Sequence, residues 1–292
     1  MATMIIRTYG VRGIVASPGP KTVKYGGNTP CIGLRDETSN DIFIFDAGTG
    51  IRKIGEELSE KAIKFNIHLF LTHTHTDHIE GLPFFIPLYT PGVRVHIYGP
   101  KSNPSLAETI GTYLSATYNP TGLGNIKALL KFHELERSKL NIGQLTFRSV
   151  PLNHSIPVVG YRLESGKAVF NYMTDHEPPL AMKTPEQRKI AKQFDNDYLS
   201  HIEGSDLLIA DTQYMPDEIK LYAGWGHPSI HYVVNAAIKA KVKRLVLFHH
   251  EPNRTDDQID EIVHHYRNLI VKKKANLEII AGREIEEFNV HY

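Results

Sequence analysis

A chain of 292 residues, 41% hydrophobic and 22% charged, can bury a substantial core and has the composition of an ordinary soluble globular protein. Its formal net charge of +1 excludes whole-molecule attraction to nucleic acid or an anionic membrane, and its single cysteine, Cys31, excludes an intramolecular disulfide or a thiolate metal cage. No segment reads as a signal peptide and no apolar run approaches the roughly 20 residues needed to span a bilayer, so a reducing cytoplasm is the expected setting, with no membrane partner.

The first distinctive segment, "GVRGIVASPGPKTVKYGGNTP" (10–30), is too punctuated by glycine and proline for a helix and is expected to be a loop carrying backbone toward a site. "DIFIFDAG" (41–48) reads as a strand ending at a glycine turn, and "IRKIGEELSEKA" (51–62) as an amphipathic helix. A mostly apolar strand, "NIHLFLTH" (66–73), follows, of the kind buried on both faces. "RVHIYGP" (94–100) is a strand stopped by Gly99 and Pro100, with a helix expected over 104–118. Three consecutive strands are expected at 144–152, 158–165 and 168–175, the last two joined by a Ser-Gly turn. A helix at 185–203, a strand at 206–212, a helix near 231–240, a strand at 244–250, a helix at 256–271 and a strand at 277–282 complete the pattern. The lysine-rich runs at 239–244 and 271–275 read as solvated helix ends and turns. There is no repeat, linker or low-complexity tract, so residues 1–292 are expected to form one domain, two sheets packed between helices.

Histidine is the unusual count, at 16. "FLTHTHTDHIEGLPFF" (70–85) places His73, His75, Asp77 and His78 within six positions after an apolar run. Imidazole and carboxylate suit zinc, manganese or iron, and four such ligands on so short a loop cannot all reach one small ion, so two ions are the natural solution. Further ligands, one of them bridging, are sought at other strand ends: His154 in "PLNHSIPVVGY", Asp175 in "NYMTDHEP" and His249 in "LVLFHHEP".

"THTHTDHIEGLP" resembles the HxHxDH signature of the metallo-β-lactamase fold, and the similarity extends over nearly the whole chain. "FDAGTGIRKIG", "NHSIPVVGYRLE" and "YMTDHEP" are similar to the motifs that follow in that fold. "DLLIADTQY … GWGHPS … KRLVLFHHEP" resembles the block shared by ribonuclease Z and cyclic-nucleotide phosphodiesterases. The resemblance implies an α/β metallo-β-lactamase-type αββα sandwich of two mixed sheets flanked by helices. It implies one divalent ion, zinc or manganese, on His73, His75, His154 and Asp175. A second would lie on Asp77, His78, His249 and the same Asp175. His249 matches the ligand position, with His250 behind it, and Asp46 matches a position that orients the metal loop.

Two such ions would hold a bridging hydroxide and grip phosphate oxygens during in-line displacement, with Asp77 part of that catalytic cage. His227 corresponds to the histidine of a family "GHST" motif, which implies phosphate contact and proton donation to the leaving oxygen, and Asp211 corresponds to its acidic partner. Aspartate replaces the ribonuclease's usual glutamate, and "HPS" replaces "HST". Only twenty-one positions separate His154 from Asp175, where ribonuclease Z usually inserts a long arm, and with the near-zero charge this argues against a tRNA substrate. "GVRGIVASPGPKTVKYGGNTPC" resembles instead small bacterial and phage phosphodiesterases that open cyclic nucleotides, the anti-Pycsar type included. That likeness implies that Gly27, Asn28 and Thr29 line the pocket, that the chain forms homodimers, and that a 3′,5′-cyclic nucleotide is the substrate, with ribonuclease Z-like cleavage of tRNA 3′ ends as the alternative. "SATYNPTGLGN" (115–125) is expected to form a lid, on its glycine and proline content.

Overall fold

Two seven-stranded mixed sheets face each other, and helices cover both outer faces: the expected αββα sandwich is the fold found in a computed structural model that describes residues 2–59, 66–119, 122–179 and 184–292. The strands are β1 (Thr3–Gly10), β2 (Cys31–Asp36), β3 (Ile42–Phe45), β4 (Asn66–Phe70), β5 (Arg94–Pro100), β6 (Leu129–Leu135) and β7 (Lys139–Ile142). After these come β8 (Leu145–Leu152), β9 (Val158–Ser165), β10 (Ala168–Met173), β11 (Leu207–Asp211), β12 (Arg244–Phe248), β13 (Glu278–Ala281) and β14 (Glu287–His291). The helices are α1 (Ile51–Ser59), α2 (Thr76–Ile79), α3 (Leu106–Tyr113), α4 (Pro185–Ile202), α5 (Ile230–Lys239) and α6 (Asp256–Lys273). The first sheet runs β14-β1-β2-β3-β4-β5-β6 and the second β13-β12-β11-β10-β9-β8-β7.

Most expected elements recur with ends trimmed by a few residues. β4 stops at Phe70, short of the expected end at His73, so His73 and His75 both lie beyond the sheet. The helix expected over 104–118 is α3 alone, begun by a capping box in which the Ser105 side chain accepts from Glu108 N–H while the Glu108 carboxylate accepts from Ser105 N–H. Residues 60–62 of the helix expected after Ile51 lie outside the described residues.

The inter-sheet layer is aromatic because both inner faces contribute large side chains at alternate positions. Phe43, Phe45, Phe70, Phe147 and Phe170 are fully or almost fully buried there. Phe70 stacks on Phe147 at 4.7 Å and on Tyr98 at 4.5 Å between ring centroids. Burying each such ring stabilises the sandwich by about 2–3 kcal/mol. Outside the first sheet, Ile51 and Ile54 of α1 and Ile110 of α3 close a second core, and Tyr198, Val233 and Tyr266 of α4, α5 and α6 close a third against the other sheet.

Strand direction positions the site. β3, β4, β5 and β6 are mutually parallel, as are β10, β11, β12 and β13, and β8 runs with β10 because both are antiparallel to β9. Their carboxyl ends open at one edge, where ligands bind in such sheets. The 10–30 loop is drawn toward that edge by the buried Arg12, whose Nε donates to Gly26 O at 2.9 Å and Nη1 to Arg254 O at 2.6 Å.

At the opposite flank of the inter-sheet layer, His68 stacks on Phe43 (5.3 Å) and His96 (5.1 Å), and its Nδ1 lies 3.2 Å from Tyr98 Oη. Burial pushes its pKa down to about 4, against the pull of Asp41, with His96 and His133 adding to the depression. The folded state therefore binds fewer protons than the unfolded one between pH 6.5 and 4, and stability falls as pH drops through that window. His68→Gln should make this acid-side slope shallower by about 1 kcal/mol per pH unit, somewhat less than a full proton's share because toward the ends of the window the two states differ by only part of a proton. Urea titrations at pH 7, 6, 5 and 4.5 check it, and identical slopes for the two proteins would refute it.

Candidate metal centre

Asp46, Asp175 and His249 reach the site by one local device. Each stands at the end of an apolar strand (β3, β10 and β12) with positive φ, 57°, 53° and 58° respectively. Aspartate and histidine tolerate this left-handed region better than most residues, and each such bend costs about 1–3 kcal/mol, which the buried strands behind offset.

The bends bring the motif residues together. His73 Nε2 lies 3.6 Å and His154 Nε2 3.8 Å from Asp175 Oδ2, and His75 Nδ1 lies 3.0 Å from His73 Nε2 and 3.1 Å from His154 Nε2. On the other side, His78 Nε2 and His249 Nε2 each lie 3.6 Å from Asp175 Oδ1. Asp77 Oδ2 is 3.4 Å from His78 Nε2 and 3.3 Å from His249 Nε2. Asp175 thus turns one oxygen to each group, and within each group the donor atoms lie within 4.8 Å of one another. Imidazole nitrogens converging this closely on shared points, with carboxylates between them, are the donors of a dinuclear divalent-metal site. A further compact set, Asp175, Asp211, His227 and His249, overlaps the second group.

The electrostatics agree with a place for cations. Burial holds His73 well below the usual histidine range, with the His78 charge adding to it, and pushes His154 down to about 4. Burial also opposes charge on His78 and His249, but Asp77, Asp46 and Asp175 lift the first to about 10, and Asp175, Asp211 and Asp77 lift the second to about 9. Asp77 and Asp175 sit below the usual carboxylate range, because the neighbouring imidazolium charges outweigh burial. The pocket concentrates negative charge that a cation would neutralise.

Outer partners set the rings. Asp46 Oδ1 accepts from Thr72 N–H at 2.7 Å, and its Oδ2 lies 2.8 Å from His78 Nδ1 and accepts from Tyr172 O–H at 2.7 Å. This holds the metal loop by both backbone and ring and leaves His78 Nε2 facing inward. Gln213 Oε1 meets His249 Nδ1 at 2.8 Å, and Ile14 N–H donates to Asp77 Oδ2 at 2.7 Å. No pattern singled out Gln213, Tyr172 or Ile14, because each lies in a different segment and matters only through what it touches here. His250 points away, its Nε2 against Gly282 O at 2.9 Å.

Beside the cluster, His227 Nδ1 lies 2.8 Å from Asp211 Oδ2 and 3.8 Å from Asp175 Oδ2, with both partners of the first contact buried. Gly27, Asn28 and Thr29 are engaged within the scaffold: Gly27 O accepts from Ser17 N–H, the Asn28 backbone and side-chain amides donate to Glu284 at 2.7 and 2.9 Å, and Thr29 Oγ1 donates to Glu80 at 2.7 Å. Of the segment 115–125 expected to form a lid, residues 120 and 121 lie outside the described residues. Among the described residues a cleft of about 440 Å³ opens beside His154, lined by Pro100, Leu135, Pro151, Ile156 and Phe194. No helix among the described residues is long and apolar enough to cross a membrane.

A family model described as "Beta-lactamase superfamily domain" matches residues 42–250. Ribonuclease Z of Thermococcus kodakarensis is 26% identical over 260 residues, covering 76% of this chain and 78% of that protein. Unliganded yeast PDE1 superposes with a TM-score of 0.71 at 15% identity, covering 100% of both chains. A diphosphatase from the PhnP family does so with a TM-score of 0.66 at 17% identity, again over 100% of both chains. At these identities the two structures speak for the fold alone.

Proposed function

The chain belongs to the beta-lactamase superfamily, and from that premise we propose that it is a metal-dependent phosphodiesterase that hydrolyses a small phosphodiester, with a 3′,5′-cyclic nucleotide as the preferred substrate. The observation that carries this reading is the buried His227–Asp211 pair, 2.8 Å apart and abutting Asp175 at the edge of the metal cluster. A proton donor beside a pair of cation sites is what displacement of an alkoxide from phosphorus needs.

His73, His75, His154 and Asp175 would hold one ion, zinc or manganese, and Asp77, His78, His249 and Asp175 the other. Bound there, the ions would supply an activated water and neutralise charge on the phosphoryl oxygens. The remaining work falls to the chain. Asp211 accepts the Nδ1–H of His227, which orients the ring and leaves Nε2 as the nitrogen that gives its proton to the departing oxygen. Asp46 and Gln213 hold His78 and His249 with their inner nitrogens turned to the site.

Substrate size rests on two features. The span from His154 to Asp175 is taken up by the β9–β10 hairpin, with no room for an inserted arm, and the formal net charge is +1. The cleft beside His154 is of nucleoside dimensions. A ribonuclease reading keeps its place because the relative from Thermococcus kodakarensis is named Ribonuclease Z. A hydrolysis panel separates the two: cyclic mononucleotides, cyclic dinucleotides, bis(p-nitrophenyl) phosphate and precursor tRNA, each with zinc and with manganese at equal loading. Cyclic mononucleotides should be turned over at least about 100-fold more efficiently than tRNA, a difference of ~2.7 kcal/mol in transition-state binding. The reverse order assigns the site to RNA.

A further inference from the structure

The turn that carries His227, "GWGH" (224–227), has little of its own to hold it. Gly224 and Gly226 have positive φ, 93° and 91°, and the Trp225 between them is 55% exposed, so the turn is anchored neither by a stiff backbone nor by a buried side chain. Within its own segment Trp225 N–H donates to Tyr222 O at 3.1 Å and the two rings meet edge-on at 5.3 Å, and from another segment the turn is held by a carboxylate. Glu177, itself 4% exposed, accepts Gly224 N–H on Oε1 at 2.6 Å and Gly226 N–H on Oε2 at 3.3 Å.

Glu177 is also tied at its backbone. Its N–H donates to Asn153 O, and its C=O accepts from Asn153 Nδ2, both at 2.8 Å. Asn153 precedes His154, and Glu177 lies two residues after Asp175. Gly226 O in turn lies 3.1 Å from His154 Nδ1, and the fit there is close: a Cβ on Gly226 would come within 1.7 Å of that nitrogen. One side chain therefore links the segment of the bridging aspartate, the segment of His154 and the turn of the proton donor.

We infer that Glu177 is a positioning residue that holds His227 where it can protonate the leaving oxygen, an inference that rests on the function proposed above. Bonds to a charged carboxylate are about twice as strong as neutral ones and directional, so two of them set the height and tilt of a Gly-Trp-Gly turn. Loss of that support lets His227 drift, and a displacement of about 1 Å at a reacting group costs on the order of 100-fold in rate.

The test uses the full-length, metal-loaded protein and two substrates. A 3′,5′-cyclic nucleotide expels an alkoxide, which needs a proton, whereas bis(p-nitrophenyl) phosphate expels a phenolate, which leaves without one. Glu177→Ala should lower kcat on the cyclic nucleotide by about 100-fold, with KM within about twofold, and on the aryl diester by less than about tenfold. Metal content should stay unchanged. Glu177→Gln, which keeps an acceptor oxygen for one of the two amides, should recover part of the lost rate and covers the case in which the alanine variant folds poorly. Equal losses on the two substrates, loss of metal, or no loss at all overturns the inference. His227→Ala run in parallel separates the layers. A selective loss in His227→Ala without one in Glu177→Ala refutes the role of Glu177 alone, and equal losses in His227→Ala overturn the proton-donor reading beneath it and the inference with it.

Discussion

Asp175→Ala should leave a folded protein that binds fewer than two divalent ions per chain and whose kcat/KM is lower by on the order of 10⁴-fold. Asp175 is 2% exposed, and its two oxygens face different donor groups, Oδ2 toward His73 and His154 and Oδ1 toward His78 and His249. No other carboxylate among the described residues is shared between the two groups so directly; Asp77 contacts only the second. Its removal takes a ligand from each ion at once and removes the negative charge that favours holding two cations close together. Elemental analysis with initial-rate measurements checks the result. Two ions retained with activity within tenfold of the parent would show that Asp175 is not the shared ligand.

His227→Ala should behave differently, keeping its metal while kcat on a cyclic nucleotide falls by about 10²–10⁴-fold. The imidazole shares a compact set with Asp175, Asp211 and His249 but is not among the ligands proposed for either ion, and its nearest partner is Asp211 at 2.8 Å. Because the missing step would be proton delivery, a substrate with a phenolate leaving group should lose much less. Asp211→Asn should give a smaller defect in the same direction, since an amide oxygen can still accept from the ring but makes a weaker hydrogen bond than a carboxylate. A scaffold protein that merely carried metal would show no such dependence on the leaving group, which makes the pair of substrates the decisive comparison.

The legible parts of the site are those written locally. His73, His75, Asp77 and His78 lie on one short loop, and Asp175 and His249 end apolar runs whose β character is plain from "AVFNYM" and "RLVLF". Strands buried on both faces announce themselves in this way, and β5, β9 and β12 lie close to where their apolar runs place them. Five strands were not legible. β6 and β7 carry mixed polar faces, β1 and β14 form through pairing between the two ends of the chain, as in Thr3 opposite His291, and β2 is laid down between β1 and β3. Strand propensity reflects burial and neighbours more than the residue itself, so such strands are decided by their partners.

The segment 10–30 shows the same division. Its glycines and prolines identify a loop, but where its polar groups go was settled by Arg12, Glu284 and Glu80, which lie in other segments. Glu177 is the sharper case: in the sequence it is one acid beside a proline, and only the approach of the Gly224–His227 turn gives it a task. The chain by itself determined which kinds of chemistry were possible, because metal-binding side chains and the apolar runs that present them are properties of short segments. Tertiary structure alone decided which oxygen faces which ring and which buried carboxylate steadies the proton donor. Those are distances between residues far apart in the chain, set by how two sheets close on their aromatic layer.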